Sequence, residues 1–306
     1  MKIIVIPISV VINTKNAAST LVACLNSVKF ASEIIVVDMN SSDGTVSIAK
    51  KFTDKVFFHE DVGYADPARN FALSKASHNW ILVIDADEVI PQQLQQHITK
   101  IIKSQSSADV YLIPRKNIIF GQWLKHTGWW PDHQPRLFKK GCVSWEVGVH
   151  RFPEMRGTIE ELPANSDLAI IHYNYPSVES YLSRLNRYTS IQARERQAGF
   201  GSTVETQDLI KSYFSELWKR LFVLQGYKDK TVGVALSFLQ ASYELVVQLK
   251  IWENQGEQIS NVSETQIIQV LEQCKNEFCY WLADYKVKNS TGIKRFWWRA
   301  RRKFRF

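Results

Sequence analysis

Three aspartates placed directly after aliphatic runs are the residues of this chain best suited to chemistry. Asp38 follows residues 34–37, and Asp85 and Asp87 follow residues 81–84. A short aliphatic run ending in a carboxylate predicts a buried strand, and ligands bind parallel sheets beyond the carboxyl ends of the strands. Residues i and i+2 of an extended chain point the same way, so we expect Asp85 and Asp87 to face one ligand. Two such oxygen donors suit Mg²⁺ or Mn²⁺ bound to phosphates.

The loop after the first predicted strand narrows the class of ligand. That loop reads Asn13-Thr14-Lys15-Asn16, with neither a Gly-x-Gly-x-x-Gly fingerprint nor a Gly-Lys-Thr/Ser motif, so dinucleotide oxidoreductases and P-loop NTPases are disfavoured. A divalent ion held by strand-end acids would neutralise the charge on a departing diphosphate. The alternative is that each aspartate only caps the helix that follows it.

The elements that must position these residues change in type along the chain. Strands alternate with helical segments over roughly the first 115 residues, and the predicted strands are 8–12, 33–38, 56–58, 80–85 and 110–113. This alternation predicts a Rossmann-like α/β fold, a mostly parallel sheet with helices on both faces. Residues 117–153 predict bent antiparallel strands, and a last strand is predicted at 168–172. The remaining segments with helical spacing are 178–198, 205–225, 231–253 and 263–283.

We therefore expect three parts. They are an α/β domain over residues 1–176, a C-terminal helical subdomain over 177–285 and a basic, aromatic tail over 286–306. The most apolar later stretch, residues 231–249, contains three strongly polar side chains, which argues against a membrane-spanning helix.

The tail carries the excess charge of the protein. Lys+Arg number 38 and Asp+Glu 30, a net charge of +8, and residues 286–306 hold nine basic side chains and no acidic one, so the rest sums to 29 − 30 = −1. On a helix, Phe296, Trp297, Ala300 and Phe304 fall within an arc of about 100°. This pattern predicts a cytoplasmic protein that is peripheral on the anionic, cytoplasmic face of the membrane. Nucleic-acid binding by the tail is the disfavoured alternative, since the rest of the chain is not basic.

Five motifs, in their order and spacing, resemble family 2 glycosyltransferases of the GT-A fold. They lie at residues 8–16, 33–38, 41–45, 68–73 and 80–88. Later motifs are similar to the branch that contains lipopolysaccharide core β-1,4-glucosyltransferases. Those motifs are Trp130-Pro131-Asp132, Arg136-Leu137-Phe138, Val149-His150 and His172-Tyr173, with further similarity at 226–229 and 250–253.

The resemblance implies roles for four strand-end residues. Thr14 would contact the uridine of a UDP-sugar, and Asp38 would hold the base or the ribose. Asp85 would touch the ribose or a metal-bound water, and Asp87 would ligate Mn²⁺ or Mg²⁺.

Two more residues have both a functional and a structural interpretation. The resemblance places Arg69 near the base or the diphosphate, whereas its position in the first turn of a helix also allows an ion pair with Asp66. It also implies that His172 completes the metal shell, and the alternative is a hydrogen-bonded core histidine.

The catalytic base is the point at which the sequence departs from the family. The Val-His pair is usually followed there by Glu, but the residue here is Arg151. Inversion needs a group that takes the proton of the acceptor hydroxyl, and the candidates are Glu146, Asp132 and His150. Glu146 is slightly favoured because it lies among apolar neighbours that would raise its pKa.

The first functional hypothesis is an inverting, metal-dependent transferase. It would move a sugar, expected to be glucose, from a UDP-sugar to a lipid-linked or lipopolysaccharide-core saccharide. A sugar-nucleotide nucleotidyltransferase also uses strand-end acids, but the sequence has no Gly-rich loop after the first strand. A non-catalytic membrane-surface binding module is the third hypothesis, and the three intact aspartates argue against it.

Overall fold

The computed structural model describes residues 5–61, 66–104, 108–145, 152–200, 204–256 and 262–304. The chain divides into two compact units. The first comprises Met1–Trp123 and Trp129–Pro176, and the second comprises Leu124–Gly128 and Ser177–Phe306.

The first unit is built on short strands. In chain order they are β1 Ile6–Thr14, β2 Ala31–Asp38, β3 Val56–Phe58, β4 Trp80–Asp85, β5 Glu88–Val89, β6 Val110–Ile113, β7 Arg115–Ile119, β8 Gln122–Trp123, β9 Gln134–Lys139, β10 Val143–Ser144, β11 Glu154–Met155, β12 Ile159–Glu161 and β13 Ile170–Tyr175. A seven-stranded sheet has the order β12-β6-β9-β4-β1-β2-β3, and a four-stranded sheet has the order β5-β13-β7-β8. β10 pairs with β11.

The large sheet is mostly parallel, because β9 alone among its strands runs antiparallel to its neighbours β4 and β6. The first unit also contains helices α1 Leu21–Ser27, α2 Thr45–Ala49, α3 Asp66–Lys75 and α4 Gln92–Lys103. Even-numbered side chains of β1 pack with α1 and α4, and Val11 packs with α3. Strand β1 is therefore buried on both faces, as its continuous apolar sequence predicts.

The register of the large sheet sets the position of the strand-end residues. In the parallel pairing of β1 with β2, Thr14 lies opposite Asp38. In the pairing of β1 with β4, Asn13 lies opposite Asp85. The carboxyl ends of these three central strands therefore meet at one edge of the sheet.

The four-stranded sheet brings in residues from the later half of the first unit. β13 pairs antiparallel with β5, where His172 lies opposite Glu88. On its other side β13 pairs parallel with β7, where His172 lies opposite Asn117. His172 thus sits inside a strand between two polar partners, rather than at the strand end that the sequence predicts.

The second unit is helical. Its helices are α5 Val178–Phe200, α6 Thr206–Trp218, α7 Lys230–Asn254, α8 Glu264–Lys288 and α9 Gly292–Phe304. Helix α6 continues into a wider turn at Lys219–Val223, and a capping box between Ser263 and Gln266 starts α8. The predicted fold class, a mostly parallel sheet flanked by helices with a C-terminal helical region, is confirmed.

One described helical segment, Gly226–Asn254, is long and apolar enough to cross a membrane, with a mean hydropathy of 1.4, and it consists of a single 3-10 turn at Gly226–Asp229 followed by α7. Two of its polar side chains have partners inside the helical unit. Gln240 Nε2 donates to the Tyr181 hydroxyl at 2.8 Å, and Arg196 pairs with Glu244 at 3.3 Å. These contacts attach the helix to α5 of the second unit, although only 28% of its most apolar window is buried.

Candidate functional site

Two polar side chains at the end of β1 are buried without a hydrogen-bond partner. Asn13 and Thr14 are nearly inaccessible, and Asn13 Oδ1, Asn13 Nδ2 and Thr14 Oγ1 have no partner among the described residues. A buried polar atom without a partner costs about 1–3 kcal/mol, so such atoms indicate a site where a ligand supplies the bond. Their register partners, Asp38 and Asp85, place two carboxylates on the neighbouring strand ends.

The carboxylate of Asp38 organises the loop that follows β2. Asp38 is buried, and it accepts from the Ser41 backbone N–H at 2.8 Å and from Ser41 Oγ at 2.5 Å. The loops after β1 and β2 are joined to each other, because the Ser42 N–H donates to Asn16 Oδ1 at 2.8 Å. Asp38 therefore shapes the loop between β2 and α2 but does not cap α2, because the Thr45 N–H that begins this helix donates to Asp43.

Asp85 lies between two arginines. Arg69 Nη2 is 2.8 Å from Asp85 Oδ1, and Arg136 Nη2 is 2.6 Å from Asp85 Oδ2. Burial opposes ionisation of Asp85, but Arg136 and Arg69 outweigh it and hold the pKa of this carboxyl well below its usual range. Arg69 therefore pairs with the strand-end carboxylate, while the Asp66 side chain lies outside the described residues.

The contacts continue inward through two buried charges. Arg136 Nη2 donates to Glu88 Oε1 at 2.7 Å, and Glu88 is also 3.4 Å from Arg115 Nη1. Arg115 Nη2 lies 2.8 Å from Asp132 Oδ2. We call this series the charge chain, and its members in order are Arg69, Asp85, Arg136, Glu88, Arg115 and Asp132.

Asp132 is firmly held at the end of the charge chain. Besides Arg115, it accepts from Asn117 Nδ2 at 2.8 Å and from Gln134 Nε2 at 3.0 Å. Burial raises the pKa of Asp132, but Arg115 and these two amides lower it below its ordinary value. A carboxylate with a lowered pKa and both oxygens engaged is a weaker base near neutral pH.

Asp87 and His172 form a second pair of potential ligands. His172 Nε2 lies 3.5 Å from Asp87 Oδ1, and Asn117 Oδ1 accepts from His172 Nδ1 at 2.7 Å. The Asn117 amide is oriented by its donation to Asp132 and to the Trp129 carbonyl, so the neutral ring carries its proton on Nδ1. The Nε2 lone pair then faces a carboxylate oxygen.

Two facing lone pairs are a chemically suitable pair of ligands for a divalent cation. Adjacent ligands of an octahedral Mg²⁺ lie about 3 Å apart, close to the separation of Asp87 Oδ1 and His172 Nε2. Within the described ranges no cluster of three or more His, Cys, Asp or Glu side chains could enclose a metal. A cation held here would therefore complete its shell with diphosphate oxygens and water, as Mg²⁺ ordinarily does.

The extended geometry predicted across Asp85 and Asp87 is wrong. The chain forms a turn at residues 86 and 87. As a result, the Asp85 carboxylate contacts arginines and the Asp87 carboxylate contacts His172.

Two candidate bases, Glu146 and His150, lie outside the described residues. Trp145, which directly precedes Glu146 in the sequence, is described, and helix α3 holds it. Asn70 Nδ2 donates to the Trp145 carbonyl at 2.6 Å, the Trp145 N–H donates to Asn70 Oδ1 at 2.9 Å, and the Arg69 guanidinium lies 5.6 Å from the centre of the Trp145 ring.

Sequence reasoning assigned no role to Glu88, Arg115, Asn117 or Arg136. Glu88 and Arg136 do stand inside motifs that carry the family resemblance. Only their burial and their ion pairs or hydrogen bonds mark these four residues as part of the site. These contacts depend on the strand order, which brings β9 beside β4 and β13 beside β5 and β7.

Comparisons with known proteins give a consistent family. The family model described as glycosyl transferase family 2 matches residues 9–158. An uncharacterized glycosyltransferase of Rickettsia prowazekii is 31% identical over 205 residues, which are 61% of this chain and 67% of that protein. The lipopolysaccharide core biosynthesis glycosyltransferase LpsC of Rhizobium meliloti is 23% identical, covering 78% of this chain and 91% of LpsC. The crystal structure of Staphylococcus aureus TarS 1-349 with UDP is similar with a TM-score of 0.41 and 17% identity, covering 85% of this chain and 95% of that one.

Proposed function

Because this chain belongs to glycosyltransferase family 2, we propose that it transfers a sugar, glucose in our expectation, from a UDP-sugar to a lipid-linked or lipopolysaccharide-core saccharide with inversion. Membership of an enzyme family sets aside the non-catalytic binding module. It equally sets aside the nucleotidyltransferase. The name of LpsC supports a lipopolysaccharide-core acceptor.

The single observation that carries the donor proposal is the pair of buried polar side chains at the end of β1. Asn13 and Thr14 lack hydrogen-bond partners among the described residues, and they lie beside Asp38 and Asp85. A nucleobase edge and ribose hydroxyls supply the donors and acceptors that such groups need. We therefore assign Thr14 and Asp38 to the uridine, with Asn13 as an additional contact, and Asp85 to the ribose side of the diphosphate.

Arg69 takes an indirect part in this proposal. Its guanidinium is paired with Asp85 and lies against the Trp145 ring, so it orients the carboxylate near the diphosphate. This contact is compatible with the position that the family resemblance gives to Arg69.

Asp87 and His172 are the residues that would hold Mn²⁺ or Mg²⁺. Their opposed lone pairs fit a cation that takes its other ligands from the donor. When bound, such an ion supplies positive charge to the leaving diphosphate. Asn117 fixes the His172 ring in the tautomer that presents Nε2.

We propose Glu146 as the catalytic base. It would take the proton of the acceptor hydroxyl while the diphosphate leaves from the opposite face of the sugar. Support comes from Trp145, whose backbone is held by Asn70 at the side of α3 that also bears Arg69. Asp132 is the alternative, and its lowered pKa makes it the poorer base.

Aromatic side chains near Asp132 suit a saccharide acceptor. Trp130 packs edge-on against Trp123 with ring centres 5.2 Å apart, and Lys116 lies 4.7 Å from the centre of the Trp123 ring. Aromatic faces of this kind bury the apolar side of a sugar ring, and a lysine beside them would pair with an acidic group on the acceptor.

Helix α9 is proposed to hold the protein on the cytoplasmic face of the membrane. Ile293, Phe296 and Trp297 lie on one side of α9 with 89%, 74% and 48% of their surfaces exposed. Arg302 on another side pairs with Asp284 of α8 at 2.7 Å. The exposed stripe beside many basic side chains matches a helix that lies in an anionic interface, and it disfavours a nucleic-acid partner.

Mass spectrometry of the acceptor saccharides tests this proposal. Cells with and without the protein are compared, and their acceptor pool is then incubated with the purified protein and a panel of UDP-sugars. We expect a mass increase of one hexose with UDP-glucose, which Asp87→Asn abolishes. A pool that no UDP-sugar alters would contradict the proposed donor.

A further inference from the structure

Glu88 and Arg136 are buried charges to which the proposed mechanism gives no task. Glu88 has no exposed surface, and Arg136 is 4% exposed. Burying two charges is costly, and a well-packed apolar pair of similar size is often equally stable or more so. A buried ion pair beside an active site therefore calls for a role other than stability.

We propose that Glu88 and Arg136 are positioning residues for glycosyl transfer, which together fix the Asp85 carboxylate and, through Arg115, the Asp132 carboxylate. The inference rests on the proposed function, because that function places Asp85 beside the ribose and diphosphate of the donor. It does not depend on which nucleotide the donor carries.

Glu88 holds Asp85 at two points. The Asp85 backbone N–H donates to Glu88 Oε2 at 2.9 Å, which closes the turn between β4 and β5. Glu88 Oε1 accepts from Arg136 Nη2, and the same nitrogen donates to Asp85 Oδ2. Glu88 thus binds the main chain of Asp85 directly and its carboxylate through Arg136.

Glu88 also connects Asp85 to the residues at the far end of the charge chain. Its Oε1 lies 3.4 Å from Arg115, which binds Asp132, and it faces His172 across the pairing of β5 with β13. Side chains that are packed and doubly bonded keep one rotamer. A misplacement of about 1 Å at a reacting centre can reduce the rate about 100-fold, so such fixation has catalytic value.

The formal charges of the charge chain also limit what its arginines can do. Three guanidinium groups alternate with three carboxylates, so the sum is 3 − 3 = 0. Arg136 and Arg115 are bound to carboxylates of the protein, and Arg136 is almost fully buried. Their task is therefore to place Asp85 and Asp132 rather than to bind the leaving diphosphate.

Steady-state kinetics of variants that change the charge of this pair test the inference. In Glu88→Gln and Arg136→Gln we expect kcat to fall at least ~10-fold while the KM for the donor changes less than ~3-fold, since donor contacts remain but their alignment is lost. Arg136→Lys keeps the charge and should recover part of kcat. Lys139→Gln, on the same strand and paired with Asp109, is the matched control and should retain the wild-type kcat.

Each single variant leaves a buried charge with one partner fewer, Arg136 in Glu88→Gln and Glu88 in Arg136→Gln, and could therefore misfold. A double variant controls for this effect. The double variant Glu88→Gln/Arg136→Gln removes one charge of each sign. We expect it to fold and to lose no more than ~3-fold in kcat beyond the worse single variant, because residues that act as a unit are not additive. If the double variant cannot fold, the pair is structural and the inference is wrong.

Three further outcomes would also overturn the inference. The first is a folded Glu88→Gln protein with a kcat within ~3-fold of wild type. The second is an Arg136→Lys protein that is no more active than Arg136→Gln. The third is a loss of kcat in the variants that equals the unfolded fraction measured by calorimetry. Wild type is assayed with sugar donors that carry UDP, GDP or dTDP. Turnover of only a GDP- or dTDP-sugar would contradict the proposed donor, and the variants would then be compared with that sugar instead.

Discussion

Asn70 and Trp145 exchange two hydrogen bonds, one in each direction between the amide of Asn70 and the backbone of Trp145. The contact joins α3 to the segment that precedes Glu146. Because Arg69, the neighbour of Asn70, binds Asp85, helix α3 contacts both a strand-end carboxylate and the backbone of Trp145. The proposal of Glu146 as the base still depends on its sequence position, directly after Trp145.

The first prediction concerns the base. Glu146→Gln should lower transfer by at least ~100-fold, the usual scale for loss of a general base, while UDP affinity is retained. Rates are measured with saturating donor, and affinity by calorimetry. The ranking is wrong if Asp132→Asn has this effect and Glu146→Gln stays active, and His150→Ala tests an imidazole base in the same assay.

The second prediction uses the pH dependence of kcat/KM. A base must be deprotonated, and Arg115 with its neighbouring amides lowers the pKa of Asp132 below 3.8. If Asp132 were the base, activity would persist as the pH falls to about 4. We instead expect the rate to fall already at a higher pH, because the apolar sequence neighbours of Glu146 predict a raised pKa for the base. A rate that falls only below pH 4 would indicate Asp132 as the base.

Much of the fold could be predicted because it follows from local patterns. The aliphatic runs of β1, β2 and β4 and the helical spacing of α5 to α8 are continuous in sequence. Their predicted bounds lie within two residues of those observed, except at the ends of α6 and α8, which were predicted seven residues too late and five residues too early. The four-stranded sheet was harder to predict. β5 and β8 are two residues long, and β13 finds its partners at distant positions in the chain.

The candidate site was predictable at the strand ends and not between them. Asp38, Asp85 and Asp87 are marked by the runs that precede them. Glu88 and Arg136 have no such mark, since an ion pair between residues 48 positions apart depends on β9 lying beside β4. The turn after Asp85 similarly depends on the N–H bond to Glu88, which strand periodicity does not indicate.

The third prediction tests the membrane contact. Deleting residues 290–306 should release the protein from anionic vesicles in a sedimentation assay, and high salt should weaken binding of the intact chain. The cut lies beyond α8, so the Lys288–Asp284 ion pair is kept. UDP binding should be unaffected.

A matched pair of variants separates the apolar stripe from the charge. Phe296→Ala/Trp297→Ala should reduce vesicle binding with the net charge unchanged. Ile268→Ala/Leu271→Ala alters apolar residues of α8 that are 48% and 44% exposed, and it should not reduce binding. Equal sedimentation of the full-length and shortened proteins would contradict the anchor.

The fourth prediction concerns stability in acid. Burial raises the pKa of Glu33, but bonds from Lys55, Ser77 and Ser9 outweigh it and lower the pKa from 4.5 to about 2. A depressed pKa contributes stability that is present above pH 4.5 and is lost as the pH falls toward 2, about 3 kcal/mol at most. Glu33→Gln should therefore reduce the unfolding free energy at pH 7 more than at pH 3, as measured in urea.

Glu154→Gln provides the control for this measurement, because Glu154 is half exposed and its pair with Arg156 is long, at 3.5 Å. Its unfolding free energy should match wild type at both pH values. A Glu33→Gln effect of the same size at pH 7 and pH 3 would show that the charge of Glu33 contributes nothing.

Calorimetric titration of UDP with and without Mn²⁺ tests the central claim most directly, that the strand ends bind a nucleotide-sugar with a divalent cation. Wild type should bind UDP at least ~10-fold more tightly with Mn²⁺ than in EDTA. Asp87→Asn should keep the fold and the weak metal-free binding but lose that difference. UDP affinity that is independent of Mn²⁺ in wild type, or a metal dependence that survives in Asp87→Asn, would contradict the account.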